Sequence, residues 1–385
     1  MRLIVKLLLL TLLLSLSSCA DLGYYWQSVE GHVSLIKAAR PVDDWLADAQ
    51  TPEKLKAKLA LTQKIRAFAA EELKLPDNPS YKRYADLKRK SVVWNVVAAP
   101  VLSLKLKTWC FPVAGCVGYR GYFSEAEAKL EAEELKKQDF DVSVYGVPAY
   151  STLGWSNWMG GDPLLSTFIG YPEGELARIV FHELAHQVVY VADDTAFNES
   201  FATAVERLGG ARWLAKHGSD TVKAEYEVYD GRRRQFKALT KATRLQLAEI
   251  YDEKKPLAVD NTAFIAIKNR AKNEVKNEVK NDVKSEEEDK VKTEIKNKII
   301  ESFKSQYERL KTSWNGYAGY DNWVKQANNA AFGALAAYDD GVPQFEALFE
   351  QQGGEWQKFY AAVQRLAAMP KEARQQALKK INKDS

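Results

Sequence analysis

Residues 182–186 read His-Glu-Leu-Ala-His, and residues 198–202 read Asn-Glu-Ser-Phe-Ala. On a helix, the i,i+4 spacing places His182 and His186 on one face, one turn apart, where both imidazoles can bind one metal ion. Glu183 stands beside them and is the candidate general base. The surrounding segment 176–191 contains no glycine or proline, so we expect it to be helical. This stretch predicts a helix that binds a catalytic metal.

A third ligand is expected on the helix that follows. The turn at 192–195 lets the chain double back, and Glu199 on the next helix then faces the two histidines. Glu206, two turns further along the same face, is the alternative, and Asp193 or Asp194 would make a site of aspartate type. Three protein ligands leave a fourth tetrahedral position open for water, as in catalytic zinc sites. We therefore expect one Zn²⁺ ion per chain.

The amino terminus has the pattern of an export signal. Arg2 and Lys6 precede the apolar run 7–16, which is too short to span a bilayer comfortably, and Leu16-Ser17-Ser18-Cys19 closes it. This closing stretch resembles the lipobox of bacterial lipoproteins, which implies cleavage before Cys19 and acylation of that residue. Ala20, rather than aspartate, favours the outer membrane of a Gram-negative cell. The alternatives are an uncleaved amino-terminal anchor and an ordinary secretory signal.

Charge and cysteine content restrict the other classes of function. The 385 residues carry a formal net charge of +4, and loss of residues 1–18 would leave +2, so no nucleic-acid partner is expected. Besides Cys19, the chain contains only Cys110 and Cys116. In an oxidising compartment such a pair indicates a local disulfide, and a pair of reduced core thiols is the alternative.

A small sheet is expected before the metal-binding helix. The β-branched stretch 91–98 and the glycine-flanked stretch 116–123 are typical of strands. Ser124 caps a charged helix that ends near Lys137, and another strand follows at 141–147. We expect residues 141–150 to be either an edge strand, to which a peptide adds as an extra strand, or an interior strand without substrate contact.

Residues 268–298 form a highly charged, repetitive segment. Three successive tetrapeptides repeat the pattern Lys-Asn-acid-Val, and an acidic run follows. Valine at every fourth position advances around a helix, so no straight apolar seam forms. A solvated helical spacer is therefore the favoured interpretation over an arm that binds a partner.

The combination of motifs resembles known zinc peptidases. The two histidines followed on a second helix by Asn198-Glu199-Ser200-Phe201-Ala202 resemble the gluzincins, including the aminopeptidase N type. Together with the lipobox, the regions 110–123, 149–155 and 316–329 make the chain similar to a bacterial family of putative aminopeptidase lipoproteins. The resemblance covers most of the chain apart from the charged repeat. The Gly-x-Met-Glu-Asn motif that anchors a free substrate amine in aminopeptidase N relatives does not occur upstream of His182.

The resemblance and the patterns together predict an α+β fold that is mostly helical. Its zincin-like catalytic core would have a small sheet packed on the metal-binding helix. The predicted parts are a lipoprotein signal peptide (1–18), an N-terminal helical region (19–90), the catalytic core (91–265), a charged helical insertion (266–312) and a C-terminal helical region that packs on the core (313–385).

The resemblance also implies a mechanism. Glu183 would accept a proton from a water that attacks a peptide carbonyl, and pass it to the leaving amine. Candidate donors to the oxyanion are Tyr317, Tyr320 and Tyr338, and Glu206, Asp193 or Asp194 would orient the histidines. The substrate would be a peptide or an envelope protein at the periplasmic face of the membrane. The alternative function is a non-catalytic envelope lipoprotein that binds peptides or holds a structural zinc.

Overall fold

The computed structural model describes residues 22–111, 115–252, 281–339 and 341–381, without the side chains of 281–287 and 336–339. As predicted, the chain is mostly helical with small sheets. The helices are α1 (22–38), α2 (Val42–Ala47), α3 (Glu53–Glu71), α4 (Glu125–Lys136), α5 (Glu173–Ala185), α6 (Thr195–His217), α7 (Asp220–Tyr251), α8 (Asn281–Ser313), α9 (Asp321–Lys325), α10 (Asn329–Asp339), α11 (Val342–Gln351), α12 (Trp356–Ala367) and α13 (Lys371–Ile381). The strands are β1 (Arg40–Pro41), β2 (Arg83–Ala85), β3 (Val93–Pro100), β4 (Trp109–Phe111), β5 (Gly115–Val117), β6 (Arg120–Tyr122), β7 (Phe140–Val147) and β8 (Leu164–Leu165).

Local signals set several helix boundaries. Pro52 stands immediately before α3, where its missing N–H costs no helical hydrogen bond. Ser124 caps α4, since its side-chain oxygen accepts a hydrogen bond from the backbone N–H of Glu127 at 3.4 Å. Glu125 and Glu127 in the first turn complement the positive end of the helix dipole. The predicted helix from Ser124 to Lys137 is confirmed.

The largest core lies around α5 and α6, which pack against each other along their length. Phe181 and Leu184 of α5 and Phe201 of α6 are fully buried in it, together with Phe68 of α3. Phe345 of α11 and Phe359 of α12 surround Phe201, with ring centroids 5.8 and 5.9 Å away. The carboxyl-terminal helices are thus part of the core that supports α5 and α6.

The main sheet has the strand order β6-β3-β7 and is antiparallel throughout. Val96 and Ala98 point to one face, where they meet α4, and Val97 and Ala99 point to the other, where they meet Ala330 of α10. Because α10 packs on both β3 and α6, this sheet reaches the core around α5 only through the end that carries Val93 and Val147. The small sheet β1-β2-β8 shares that core as well.

Strand β7 lies at an edge of its sheet, which resolves the alternative left open for residues 141–150. Within the part of the chain that the structure describes, it pairs with β3 alone. The amide of Asn328, just before α10, donates to the carbonyl of Val142 at 2.9 Å. Lys296 donates to the carboxylate of Asp141 at 2.6 Å. The first part of β7 is therefore held by side chains from α8 and the start of α10.

A second core joins α7 to α8. Phe236 of α7 contacts Phe303 and Tyr307 of α8, and both α8 rings are almost completely buried. Part of the insertion predicted at 266–312, including most of the tetrapeptide repeat, lies outside the described residues. Phe303 and Tyr307 lie beyond 268–298, the range interpreted as a solvated spacer, and show that the end of the predicted insertion packs in a core.

The predicted disulfide is present between Cys110 and Cys116. It joins β4 to β5, which form an antiparallel hairpin with these two residues directly opposite each other. Among the described residues, no helix has the length and apolar character needed to cross a membrane.

Candidate metal centre

Helix α5 ends earlier than the sequence indicates. We expected a helix over 176–191, but α5 ends at Ala185 and His186 is its C-cap. The side chain of Asn198 accepts from the N–H of Val191 and donates to its carbonyl, both at 2.8 Å. Asn198 therefore satisfies both backbone groups of Val191 and fixes the connection between α5 and α6. Asn198, the residue before the candidate ligand Glu199, thus has a structural role.

The two aspartates of this connection also have structural contacts. Asp194 caps α6 by accepting from Phe197 N–H at 3.2 Å, and it pairs with the buried guanidinium of Arg374 at 2.7 Å. Asp193, at φ 64°, accepts from the N–H of Cys116 at 2.5 Å. Their contacts tie the turn to α13 and to the disulfide hairpin rather than to the two histidines.

His182, His186 and Glu199 meet at one point. The Nε2 atoms of the histidines are 3.2 Å apart, and the Oε2 atom of Glu199 lies 3.4 Å from Nε2 of His182 and 3.7 Å from Nε2 of His186. In a tetrahedral zinc site with bonds of about 2.0–2.1 Å, two ligand atoms are about 3.3–3.4 Å apart. The three residues are the group among the described residues whose ligand atoms are close enough to hold one ion. Their chemistry and spacing fit Zn²⁺.

Glu206 stands behind His182. Its Oε2 atom is 3.0 Å from Nδ1 of His182, although the N–H direction is not well aligned with that oxygen. Its other oxygen pairs with the guanidinium of Arg178, which is also near Glu175. Nδ1 of His182 faces this carboxylate. Nε2 is therefore the nitrogen that points to His186 and Glu199 and can bind the metal ion. Of the two roles expected for Glu206, its position fits the one that orients a histidine. It is not one of the three residues that meet at the candidate metal site.

The buried charges shift the ionisation of one another. Burial lowers the pKa of His182, but the nearby carboxylates of Glu199 and Glu206 raise it well above the ordinary value. Burial lowers the pKa of His186 to about 4. Burial raises the pKa of Glu206, yet the charge of Arg178 brings it down to about 2. The carboxylate behind His182 is therefore ionised at neutral pH, which suits a group that strengthens a metal-binding imidazole.

Glu183 lies on α5 next to His182 and is the candidate base. Burial, the largest cause, raises its pKa to about 7, with further contributions from Glu199 and Asp162. The fully buried Tyr81 interacts electrostatically with Glu183, and its hydroxyl has no hydrogen-bond partner among the described residues. Tyr81 also has a φ of 65°, a conformation that is costly for a bulky side chain. Nothing in the local sequence marks this tyrosine as a neighbour of the base.

Two other tyrosines replace the predicted ones near Glu199. Burial and then the charge of Glu199 raise the pKa values of Tyr119 and Tyr190. Tyr320 instead stacks on Phe236 of the second core, with ring centroids 4.0 Å apart. The ring of Tyr317 lies 6.2 Å from the ring of Tyr320. Tyr317 and Tyr320 interact electrostatically with Glu175 rather than with the triad. The side chain of Tyr338 lies outside the described residues.

The loop between β7 and β8 is fixed next to the triad. Asp162 is almost completely buried and accepts hydrogen bonds from Thr152 and Ser156. Ser80 donates to Asn157 of this loop and accepts from Gln187, which directly follows His186. Two tryptophans of the loop, Trp155 and Trp158, remain 67% and 83% exposed. The loop therefore presents aromatic side chains to solvent from a segment anchored beside the metal-binding helix.

Replacement of Arg178 by methionine is expected to destabilise the fold strongly. Arg178 is buried beside Glu206, so its removal leaves that buried carboxylate without its cation, whereas Glu175 keeps Arg233 at 2.6 Å. We expect the free energy of unfolding to fall by about 3–5 kcal/mol in urea denaturation. Arg207→Met is the matched control, because Arg207 pairs with Glu346 while nearly half exposed, and should cost about 1 kcal/mol or less. Equal losses in the two variants would contradict the role of Arg178.

Comparison with known proteins gives one match. A family model described as "putative aminopeptidase" matches residues 23–290 and 270–378. No curated protein and no solved structure matches the chain. The family match spans the described triad and most of the chain on either side of it.

Proposed function

Because the chain belongs to the putative aminopeptidase family, we propose that it is a zinc-dependent peptidase whose metal is held by His182, His186 and Glu199. The observation that carries this proposal is the triangle of Nε2, Nε2 and Oε2 atoms, with sides of 3.2–3.7 Å. The donor set of two imidazoles and one carboxylate is one that catalytic zinc sites use. The gluzincin subtype is part of this proposal.

The ion would supply Lewis acidity, which lowers the pKa of water and polarises a carbonyl group. The protein contributes the rest. Glu206 and Arg178 hold His182 in the orientation that turns Nε2 to the triad. The buried surroundings strengthen each electrostatic interaction, because little water screens them.

Glu183 is the residue that we assign to proton transfer. Its carboxylate lies one residue from His182 and is not among the three candidate ligands, so both oxygens are available to accept a proton. In peptide hydrolysis it would take a proton from the attacking water and deliver it to the leaving amine. Its raised pKa of about 7 suits a group that must both accept and return a proton near neutral pH.

We assign the hydroxyl donor for the oxyanion to Tyr119 or Tyr190, the two tyrosines near the triad that interact electrostatically with Glu199. Neutral tyrosines can donate a hydrogen bond to a carbonyl oxygen as negative charge develops on it. The raised pKa values keep both groups protonated in the range where Glu183 acts as a base.

The location of the enzyme is the second half of the proposal. Cys19 lies outside the described residues, so support comes from the sequence pattern alone. We propose that cleavage before Cys19 and acylation of its sulfur and new amino group anchor the chain to the outer membrane of a Gram-negative cell. The catalytic part would then face the periplasm and act on peptides or envelope proteins.

The peptidase proposal is tested by digesting two peptide pools with the zinc-loaded protein. One pool has free amino termini and the other has acetylated amino termini, and mass spectrometry identifies the products. We expect hydrolysis that disappears after the metal is removed with a chelator. Cleavage confined to the free-amine pool assigns aminopeptidase action, and internal cleavage of both pools assigns endopeptidase action. No cleavage in either pool would contradict a peptidase.

A further inference from the structure

Helix α1 turns a row of five apolar and aromatic side chains away from the protein. Leu22, Trp26 and Val29 are 68%, 69% and 58% exposed, and Tyr25 and Val33 are 40% and 38% exposed. At about 100° per residue these five positions fall within an arc of about 100° on the helix. We call them the α1 stripe. An amphipathic helix of a globular protein normally turns such an arc to the core.

The opposite side of α1 packs on the protein through apolar and polar contacts, and Leu35 on this side is only 3% exposed. The amide of Gln27 accepts from Phe123 N–H at 3.1 Å and donates to the carbonyl of Gly121 at 3.4 Å. Gly31 lies directly against the ring of Phe123, where a larger residue would collide with it. His32, which lies next to Tyr25 at one edge of the five positions, contacts the ring of Tyr150 with a centroid separation of 5.8 Å. These contacts fix the rotation of α1, so the stripe is held outward and cannot turn inward without losing them.

We propose that the α1 stripe lies in the surface of the lipid bilayer to which the chain is anchored. The stripe begins three residues after Cys19, and three residues span at most about 11 Å. Acyl chains on Cys19 would therefore hold Leu22 and Trp26 at the membrane surface. Tryptophan and tyrosine favour this interfacial layer, where the ring is buried and its polar group stays hydrated. The charges of Glu30 and Lys37 flank the stripe on its exposed side, at the level of the headgroups.

This inference rests on the proposed acylation of Cys19 and is independent of the peptidase chemistry. With it, α1 acts as a second membrane contact that orients the catalytic part on the bilayer, whereas a lipid anchor alone leaves the protein free to tumble on a flexible tether. Burial of an apolar helix face and a lipid anchor together give more stable membrane binding than one signal does.

The test places an environment-sensitive fluorophore on single new cysteines in the full lipidated chain. Because Cys110 and Cys116 form a disulfide and Cys19 would be acylated, Val29→Cys provides one reactive thiol. Ser34→Cys is the matched control, since Ser34 is exposed on the same helix but lies about 140° from Val29 around its axis. Each labelled protein is reconstituted in vesicles of phosphatidylethanolamine and phosphatidylglycerol that contain nitroxide-labelled lipid.

We expect blue-shifted emission at position 29 and quenching by the nitroxide lipid at least about twofold stronger than at position 34. Equal quenching at the two positions would overturn the proposal. So would a label at position 29 that is shielded from water but not quenched by lipid, because a second copy of the chain or another protein would then cover the stripe. Mass spectrometry of the amino-terminal peptide from the same preparation shows whether Cys19 is acylated, and peptide hydrolysis by the same sample reports separately on the peptidase.

Discussion

Replacing Glu183 with glutamine is expected to lower kcat for peptide hydrolysis by about 10²–10⁴-fold, the usual contribution of a positioned general base. Glutamine has nearly the same shape as glutamate but does not accept a proton. Because Glu183 is not one of the three candidate ligands, the variant should keep its zinc. Metal analysis and initial rates on one peptide substrate, measured on the same sample, separate these two effects.

A matched variant is available on the same helix. Glu173 lies at the start of α5 and accepts a hydrogen bond from the indole of Trp213 at 3.0 Å. Glu173→Gln keeps an oxygen that can accept this bond, so its rate should stay close to that of the unaltered protein. A Glu183→Gln protein that hydrolyses peptides as fast as the Glu173→Gln protein would exclude Glu183 as the general base.

The second large effect is on zinc affinity, and it distinguishes the roles of Glu199 and Glu206, the two carboxylates near the histidines. We expect Glu199→Gln to lose zinc during dialysis and to be inactive, because it removes the only anionic ligand of the triad. Glu206→Gln should keep zinc with an affinity about 10–100-fold lower, as expected when a group that orients a histidine ligand is weakened. Zinc affinity is measured by competition with a chelating dye.

The same pair of variants tests the alternative set of ligands. If Glu206 were the third ligand, the order would reverse, with zinc lost from Glu206→Gln and kept by Glu199→Gln. Urea denaturation of both metal-free proteins is the control for folding, since Glu206 also pairs with buried Arg178. A zinc affinity reduced equally in both variants, with both folded, would contradict the distinct positions that we assign to the two residues.

The features that the sequence predicts well are those with local causes. The i,i+4 spacing of His182 and His186 has a fixed consequence on any helix, and Ser124 caps α4 through its own side chain. Glu199 was expected near the histidines because the chain doubles back into a second helix, and it does so through the connection 186–194. The β-branched composition of β3 likewise indicates a strand, and the structure buries both of its faces.

The features that it does not predict depend on residues distant in the chain. The connection after α5 is held by Asn198, whose side chain bonds both backbone groups of Val191. Arg178 finds Glu206 only because α5 packs on α6, and Tyr81 approaches Glu183 only after the fold is complete. Helical or strand periodicity contains no information on such contacts.

The predicted oxyanion donors illustrate the same limit. Aromatic residues in a turn-rich stretch are as compatible with a core as with a catalytic site, and Tyr317 and Tyr320 belong to the second core. The packing of α10 on both β3 and α6 also has no local signal, so the main sheet was expected on α5. In both cases tertiary packing decided between arrangements that the local sequence allows equally.

Titration of activity with zinc is the most direct test of the proposed catalytic centre. The metal is removed with a chelator, the protein is dialysed, and zinc is added back in steps while peptide hydrolysis is followed. We expect no hydrolysis by the metal-free protein and a rate that rises in proportion to added zinc until one ion is bound per chain. Hydrolysis that persists in the metal-free protein, or zinc-loaded protein that cleaves no peptide, would contradict a zinc peptidase built on His182, His186 and Glu199.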